Sequence, residues 1–243
     1  MAQFKHLFSP IQIGSMTVRN RIVSTGHETL YTEPHTFLPT DRLIGYYVGK
    51  AKGGIGLIFS HALACHASSH FDVLAHPQAA ARFKKAADAI HDNGARFIGQ
   101  IFHYGGETFL QGATPWAPSV FLAPNDWKPT HEMTIEEIHS VRDGFVHGAR
   151  VLQDAGLDGV EIHSAHGYLL TELMNPFHNK RQDEYGGSLE NRLRFVNEIT
   201  DAVRDAVGKN FVVGMRINGD DFIEGGNTLD DMKVIAPMLT AKG

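Results

Sequence analysis

The 243-residue chain has one cysteine, Cys65, so no disulfide can form within it and no cysteine-ligated iron–sulfur cluster can be built from it alone. It also lacks cationic character. Its 22 lysines and arginines against 27 aspartates and glutamates leave a net charge of −5, with no basic block to follow a phosphate backbone, so nucleic acid is not expected as a partner. No apolar run approaches the roughly 20 residues that span a bilayer, so no membrane partner is expected. The opening MAQFKHLFSP has no apolar core of the kind a secretion signal carries. A cytoplasmic protein is the expectation. No repeat at solenoid spacing and no low-complexity tract is visible. What is present is 42% hydrophobic and 20% charged residues, ordinary for a globular protein, and a length that fits a single α/β domain over 1–243.

The pattern along the chain alternates short β-branched runs with longer amphipathic segments. Strands are expected in NRIVSTG, GIGLIFS, ARFIGQIFH, DGVEIH and FVVGMRI. Helical spacing follows each: Leu43 to Lys52, Pro77 to Asn93, and a segment from Thr134 with Ile138, Val141, Phe145 and Ala149 on one face. A fourth places Val196, Ile199, Val203 and Val207 together, and a last runs from Thr228. TIEE at 134–137 reads as a capping box. Tyr104 to His131, rich in glycine, proline and tryptophan, reads as a long loop of the kind that carries function.

Strict strand–helix alternation implies a parallel sheet with right-handed crossovers, either an open doubly wound sheet or part of an eight-stranded barrel. The Gly-x-Gly-x-x-Gly fingerprint does not follow the first strand, which argues against a dinucleotide-binding sheet. The chemically unusual residues all fall at C-terminal strand ends: Gly26 and His27, Ser60 and His61, Gln100 and His103, His163 and His166, and Arg216. Barrel enzymes place their sites on that face. The expected fold is therefore an incomplete TIM (β/α)8 barrel with about five of its eight units.

EIHSAHGYLL at 161–170 puts two histidines and a tyrosine where a strand ends. A metal-dependent barrel hydrolase is one reading, with His27, His61 and His103 as further ligands. Side chains alternate along a strand, so a His-x-x-His pair shares a face only if the chain turns after His163, which Gly167 permits; the helical His-Glu-x-x-His zinc motif is absent. No metal site is assigned. Neutral donors aimed at a developing enolate oxygen are the other reading. His61, His66, His70, His76 and His178 have no motif support and are expected to be mostly solvated. Arg216 could simply pair with Asp220.

LFSPIQIGSMTVRNRIV at 7–23, GQIFHYGGE at 99–107, EIHSAHGYLL, and NKRQDEYGGSLENRLRF at 179–195 resemble the old yellow enzyme family, closest to its larger-subunit branch of 2,4-dienoyl-CoA reductase-like and trimethylamine dehydrogenase-like proteins. The resemblance implies the N-terminal part of an FMN barrel and an NAD(P)H:flavin oxidoreductase passing hydride through flavin N5 to an α,β-unsaturated carbonyl. It implies His163 and His166 as the pair that holds the carbonyl oxygen, and Tyr168 as the proton donor. Gly26, His27, Ser60, Gln100 and Arg216 would bind FMN, and NADH or NADPH would supply electrons. The covalent branch has a cysteine shortly after the first strand where Glu28 stands here, so the FMN is expected to be non-covalent. RQDEYGG is expected to shape a loop.

Three alternatives stay open: oxidative demethylation of an N-methylated amine, the metal-dependent barrel hydrolase, and a non-catalytic barrel fragment that needs a partner. The family holds its FMN phosphate with the seventh and eighth strands, which five units do not include. Homo-oligomerisation or completion by a C-terminal barrel segment is expected accordingly, since a bare sheet edge is a liability.

Overall fold

The computed structural model describes residues 4–108, 114–125 and 128–241. The chain begins with a hairpin of β1 (Ile11–Ile13) and β2 (Met16–Val18), followed by β3 (Val23–Ser24), α1 (Asp41–Lys52), β4 (Leu57–Ala64), α2 (Ala79–His91) and β5 (Arg96–Phe102). A 3-10 turn at Gly105–Glu107 and the short pair β6 (Trp116–Ala117) and β7 (His131–Glu132) precede α3 (Ile135–Asp154). Then come β8 (Gly159–Ser164), α4 (Leu169–Met174), α5 (Leu189–Val207), β9 (Val212–Ile217) and α6 (Leu229–Thr240). The five-stranded sheet runs β3-β4-β5-β8-β9, and its neighbours are all parallel. Strands in sequence order with a helix after each are successive units of a (β/α) barrel, as the alternation predicts.

Period-two alternation sorts each strand into two faces. Phe97, Ile101, Val160 and Ile162 pack outward against the helices in the main core. Ile98, Gln100 and Phe102 on β5 face the concave side with Gly159, Glu161 and His163 on β8. Their β9 counterparts are Val212, Gly214 and Arg216. The concave side therefore has layers, apolar below and polar above. The N-terminal hairpin closes the floor: Met16 and Val18 pack with Leu57, Ile98 and Val212. One small hairpin can touch β4, β5 and β9 together only because the sheet curls around it.

The helix starts are locally specified. Thr134 accepts from the Glu137 N–H and the Glu137 side chain returns to the Thr134 N–H, completing the capping box. Thr228 and Asp231 do the same for α6, and Ser188 caps α5. The stretch read as one long loop is partly pinned. β6 and β7 pair with each other, and the buried Arg181 guanidinium donates to the Pro118 and Met133 carbonyls at 3.1 and 2.7 Å. Arg181 also forms a bidentate pair with Asp183. RQDEYGG thus shapes a loop, as expected.

Candidate active site

The upper layer of the concave face carries the polar cluster. Gln100 and Glu161 are register neighbours, and Gln100 Nε2 donates to Glu161 Oε1 at 2.5 Å. Burial raises the Glu161 pKa, against that hydrogen bond and nearby Arg216. A register shift between Phe59 and Ala62 in β4 turns Ser60 so that its Oγ accepts the Gln100 N–H at 3.0 Å. Gly26 follows β3 and leaves no room for a side chain: a Cβ there would sit 2.7 Å from the Ser60 carbonyl oxygen and 3.0 Å from Gln100 Nε2. Glycine is what lets this backbone lie against the strand ends.

His163 stands one layer higher, beside Arg216 in register. It is 3% exposed and its Nδ1 is buried without a hydrogen-bond partner. Burial holds its pKa down to about 3, helped by His166 and Arg216, so the ring is neutral. His166 lies 4.9 Å from it and Tyr168 5.3 Å, centroid to centroid. The turn that gathers them is left-handed at His166, φ +63°, and at Gly167, φ +83°. Burial, with Glu107 nearby, raises the Tyr168 pKa, so the phenol keeps its proton.

Of the other expected site residues, His27 is turned elsewhere. Its Nδ1 lies 3.0 Å from the Thr25 carbonyl and so carries the proton, and its Nε2 accepts from the Tyr46 hydroxyl at 2.7 Å. Arg216 makes no ion pair with Asp220, whose carboxylate instead accepts the N–H groups of Phe222 and Leu229. His61 corrects the expectation of a solvated ring. It is 1% exposed, stacked on Phe83, and donates its backbone N–H to the Tyr47 hydroxyl oxygen. His103 is equally committed, to Ser68 Oγ and the Gly105 N–H. Among the described residues no group of three or more His, Cys, Asp or Glu side chains comes together to hold a metal.

Sequence reasoning passed over the cleft in front of the cluster. It encloses about 390 Å³ and is walled by Glu28, Phe37, Phe71, Tyr104, Glu107 and Tyr168. Phe37 and Phe71 stack at 3.9 Å. Burial pushes the Tyr104 phenol up to about 12 and raises Glu107. Behind this wall, the fully buried Glu172 accepts the Gly106 N–H at 2.8 Å, and burial lifts its pKa well above the carboxylate range. GQIFHYGGE carried the signal for Tyr104 and Glu107, but as part of a motif rather than as a wall.

A barrel face that gathers neutral histidines, a protonated phenol and an amide–carboxyl pair at its strand ends has the make-up of a barrel binding site at the face where such folds place their chemistry. Residues 6–242 match the NADH:flavin oxidoreductase / NADH oxidase family, and the chain belongs to that family. It is 40% identical over 257 residues to an N,N-dimethylglycine/sarcosine dehydrogenase of Chromohalobacter salexigens, with 99% of this chain and 36% of that protein covered. It is 38% identical to an NADH oxidase of Thermoanaerobacter brockii, covering 100% of this chain and 38% of that protein. The chain thus spans less than two fifths of the length of these curated relatives. Among solved structures, a 2-naphthoyl-CoA reductase superposes with a TM-score of 0.91 at 34% identity, covering 99% of this chain and 39% of that one. The old yellow enzyme from Pichia sp. AKU4542 superposes at 0.87 with 28% identity, covering 98% and 67%. The old yellow enzyme resemblance and the incomplete-barrel reading are both borne out. No helix among the described residues is long and apolar enough to cross a membrane.

The residues present fit a flavin. Gly26 brings bare backbone against Ser60 and Gln100, the Gln100 amide can pair with a heterocycle edge, and Arg216, its backbone paired in β9, has a guanidinium with no side-chain hydrogen bond or ion pair among the described residues.

Proposed function

We propose that the protein works as an FMN-dependent oxidoreductase that reduces α,β-unsaturated carbonyl substrates, with FMN bound non-covalently and NADH or NADPH as electron donor. What carries this reading is His163: a buried, neutral imidazole with an unpartnered Nδ1, beside a second histidine and a phenol. Gly26, Ser60, Gln100 and Arg216 would hold the cofactor, and His27 would contribute backbone only. Bound there, FMN supplies the hydride chemistry that no amino-acid side chain can.

His163 and His166 hold the substrate carbonyl oxygen through neutral N–H groups, which strengthen as negative charge gathers on that oxygen. Tyr168 O–H delivers the proton to the α-carbon; its raised pKa keeps that proton available up to high pH. The aromatic cleft wall excludes water around the substrate.

One observation favours a second reading. The cleft presents two carboxyl groups, Glu28 and Glu107, among four aromatic rings, and no lysine or arginine lines it among the described residues. That chemistry suits a cationic amine and supports oxidative demethylation, the direction suggested by the dimethylglycine/sarcosine dehydrogenase relative.

The test is FMN titration followed by flavin fluorescence, then stopped-flow mixing of loaded protein with an enone or an N-methylated amine. The first reading expects enone reduction, abolished in His163→Ala with FMN still bound. Loss of FMN from His163→Ala would overturn the role given to that ring. Reduction of bound FMN by the amine, with no enone turnover, would install the second reading.

A further inference from the structure

His166 adopts φ +63°, a left-handed conformation that costs a residue with a Cβ about 1 kcal/mol or more. Its backbone is held from another loop. The His166 N–H donates to Asn218 Oδ1 at 3.0 Å, and Asn218 is the first residue after β9. The orientation of that amide is fixed by its far end: Asn218 Nδ2 donates to Asp221 Oδ1 at 2.8 Å. The other oxygen of Asp221 accepts from Asn175 Nδ2 at 3.0 Å and from the Asn227 N–H at 2.9 Å. Three donors converge on one carboxylate, which acts only as acceptor. Asn218 must therefore turn its Nδ2 to Asp221 and its Oδ1 to His166. The same carboxylate grips Asn175, the C-cap of α4, so both ends of the segment that carries His166 and Tyr168 are tied to the 218–227 loop.

We infer that Asn218 is the positioning residue for His166, and that Asp221 sets the direction in which Asn218 acts. The chain Asp221–Asn218–His166 fixes the backbone of the turn and hence the aim of the imidazole 4.9 Å from His163. A residue on the loop after β9 thereby governs a donor at the end of β8. The consequence for substrate rests on the proposed role of His166; the tie itself does not.

Amide hydrogen exchange on the chain tests the tie without cofactor. In Asn218→Ala the His166 amide exchanges at least tenfold faster than in wild type, with the acceleration confined to 165–168 and the urea midpoint little changed. Asn218→Asp keeps an acceptor for His166 but loses the donor to Asp221, and gives intermediate exchange. Should Asn218→Ala fail to fold, Asp221→Asn takes its place: its amide oxygen stays with the two donors from Asn175 and Asn227, its NH2 then faces Asn218 Nδ2, donor against donor, which releases Asn218 and speeds exchange at His166 likewise. Unchanged exchange at His166, or acceleration spread along α4, overturns the inference.

In FMN-loaded protein, Asn218→Ala lowers kcat about tenfold with KM nearly constant, and Asn218→Asp recovers part of it. His166→Ala run in parallel separates the two ideas. Full turnover in His166→Ala removes the substrate role of that ring while leaving the exchange result standing. A damaged His166→Ala beside an Asn218→Ala with wild-type kcat overturns the positioning role alone.

Discussion

Lowering the pH from 7 to 5 charges an exposed histidine at little cost, but it charges His163 only by forming an imidazolium inside the protein. The His163 pKa is held at about 3 by burial, against an ordinary 6.5, so the unfolded chain takes up the proton first. The stability gained from keeping this ring neutral is complete above pH 6.5 and drains away as the pH falls towards 3. One proton taken up by the unfolded state alone costs about 1.4 kcal/mol per pH unit, which comes to about 2 kcal/mol at pH 5. His103, buried and also at about 3, adds a slope of the same sign. Glu172 acts in the opposite sense. Its folded pKa is raised well above 4.5, so its contribution is present at low pH and lost as the pH rises. The informative quantity is therefore a difference. Urea unfolding of wild type and His163→Gln at pH 7 and pH 5 should show wild type losing about 2 kcal/mol more than the variant. Equal losses, within about 0.5 kcal/mol, would mean that His163 titrates normally in the folded protein. The neutral-donor reading of the site would fall with it.

Arg181→Met should cost about 2–4 kcal/mol, because it leaves unsatisfied two buried carbonyls that the guanidinium now satisfies and removes the partner of the partly exposed Asp183 carboxylate. Urea unfolding measures this, and a loss below about 1 kcal/mol would show that water replaces the guanidinium at little expense. Tyr168→Phe keeps the ring contacts with Phe102 and Tyr104, so stability should be unchanged while enone turnover falls roughly 10²–10⁴-fold. Stopped-flow reoxidation by an enone reads this out, and wild-type turnover would take the proton-donor role away from Tyr168.

What could be read from the sequence was local. The capping box at Thr134 and the apolar face of α3 depend on residues within a turn or two of each other, and both stand where expected. The strand-end position of Gln100, His163 and Arg216 follows from period-two alternation and is equally local. Helix α4 escaped notice because all six of its residues are buried, which leaves no polar face to mark a helical period. The β1–β2 hairpin escaped because three-residue strands carry almost no pattern, and its place is set by Leu57, Ile98 and Val212 from three distant strands. His61 was misread because the β4 register shift falls between Phe59 and Ala62. A bulge breaks the alternation that a reader of sequence relies on. Asn218 and Asp221 are ordinary loop residues until tertiary contacts give them partners.

The same contacts explain how a helix with no polar face can organise a polar site. Leu169 to Met174 bury their side chains beneath the cleft, and Glu172 among them clamps Gly106 in the turn that carries Glu107. The site then depends on how β8 is joined to α4, and Gly167 is the joint. Its φ is +83°, and a Cβ added there would meet nothing within 4 Å. Gly167→Ala therefore creates no clash, and its cost is conformational alone, about 1–2 kcal/mol. Gly54 is a matched control, with φ +101° and equally open space at the opposite end of the sheet, just before β4. Both alanine variants should lower the urea midpoint by similar amounts, yet only Gly167→Ala should shift the imidazole resonances of His163 and His166. If Gly54→Ala moves those resonances equally, the turn is not what aims them. The site would then answer to global stability rather than to the geometry of one joint.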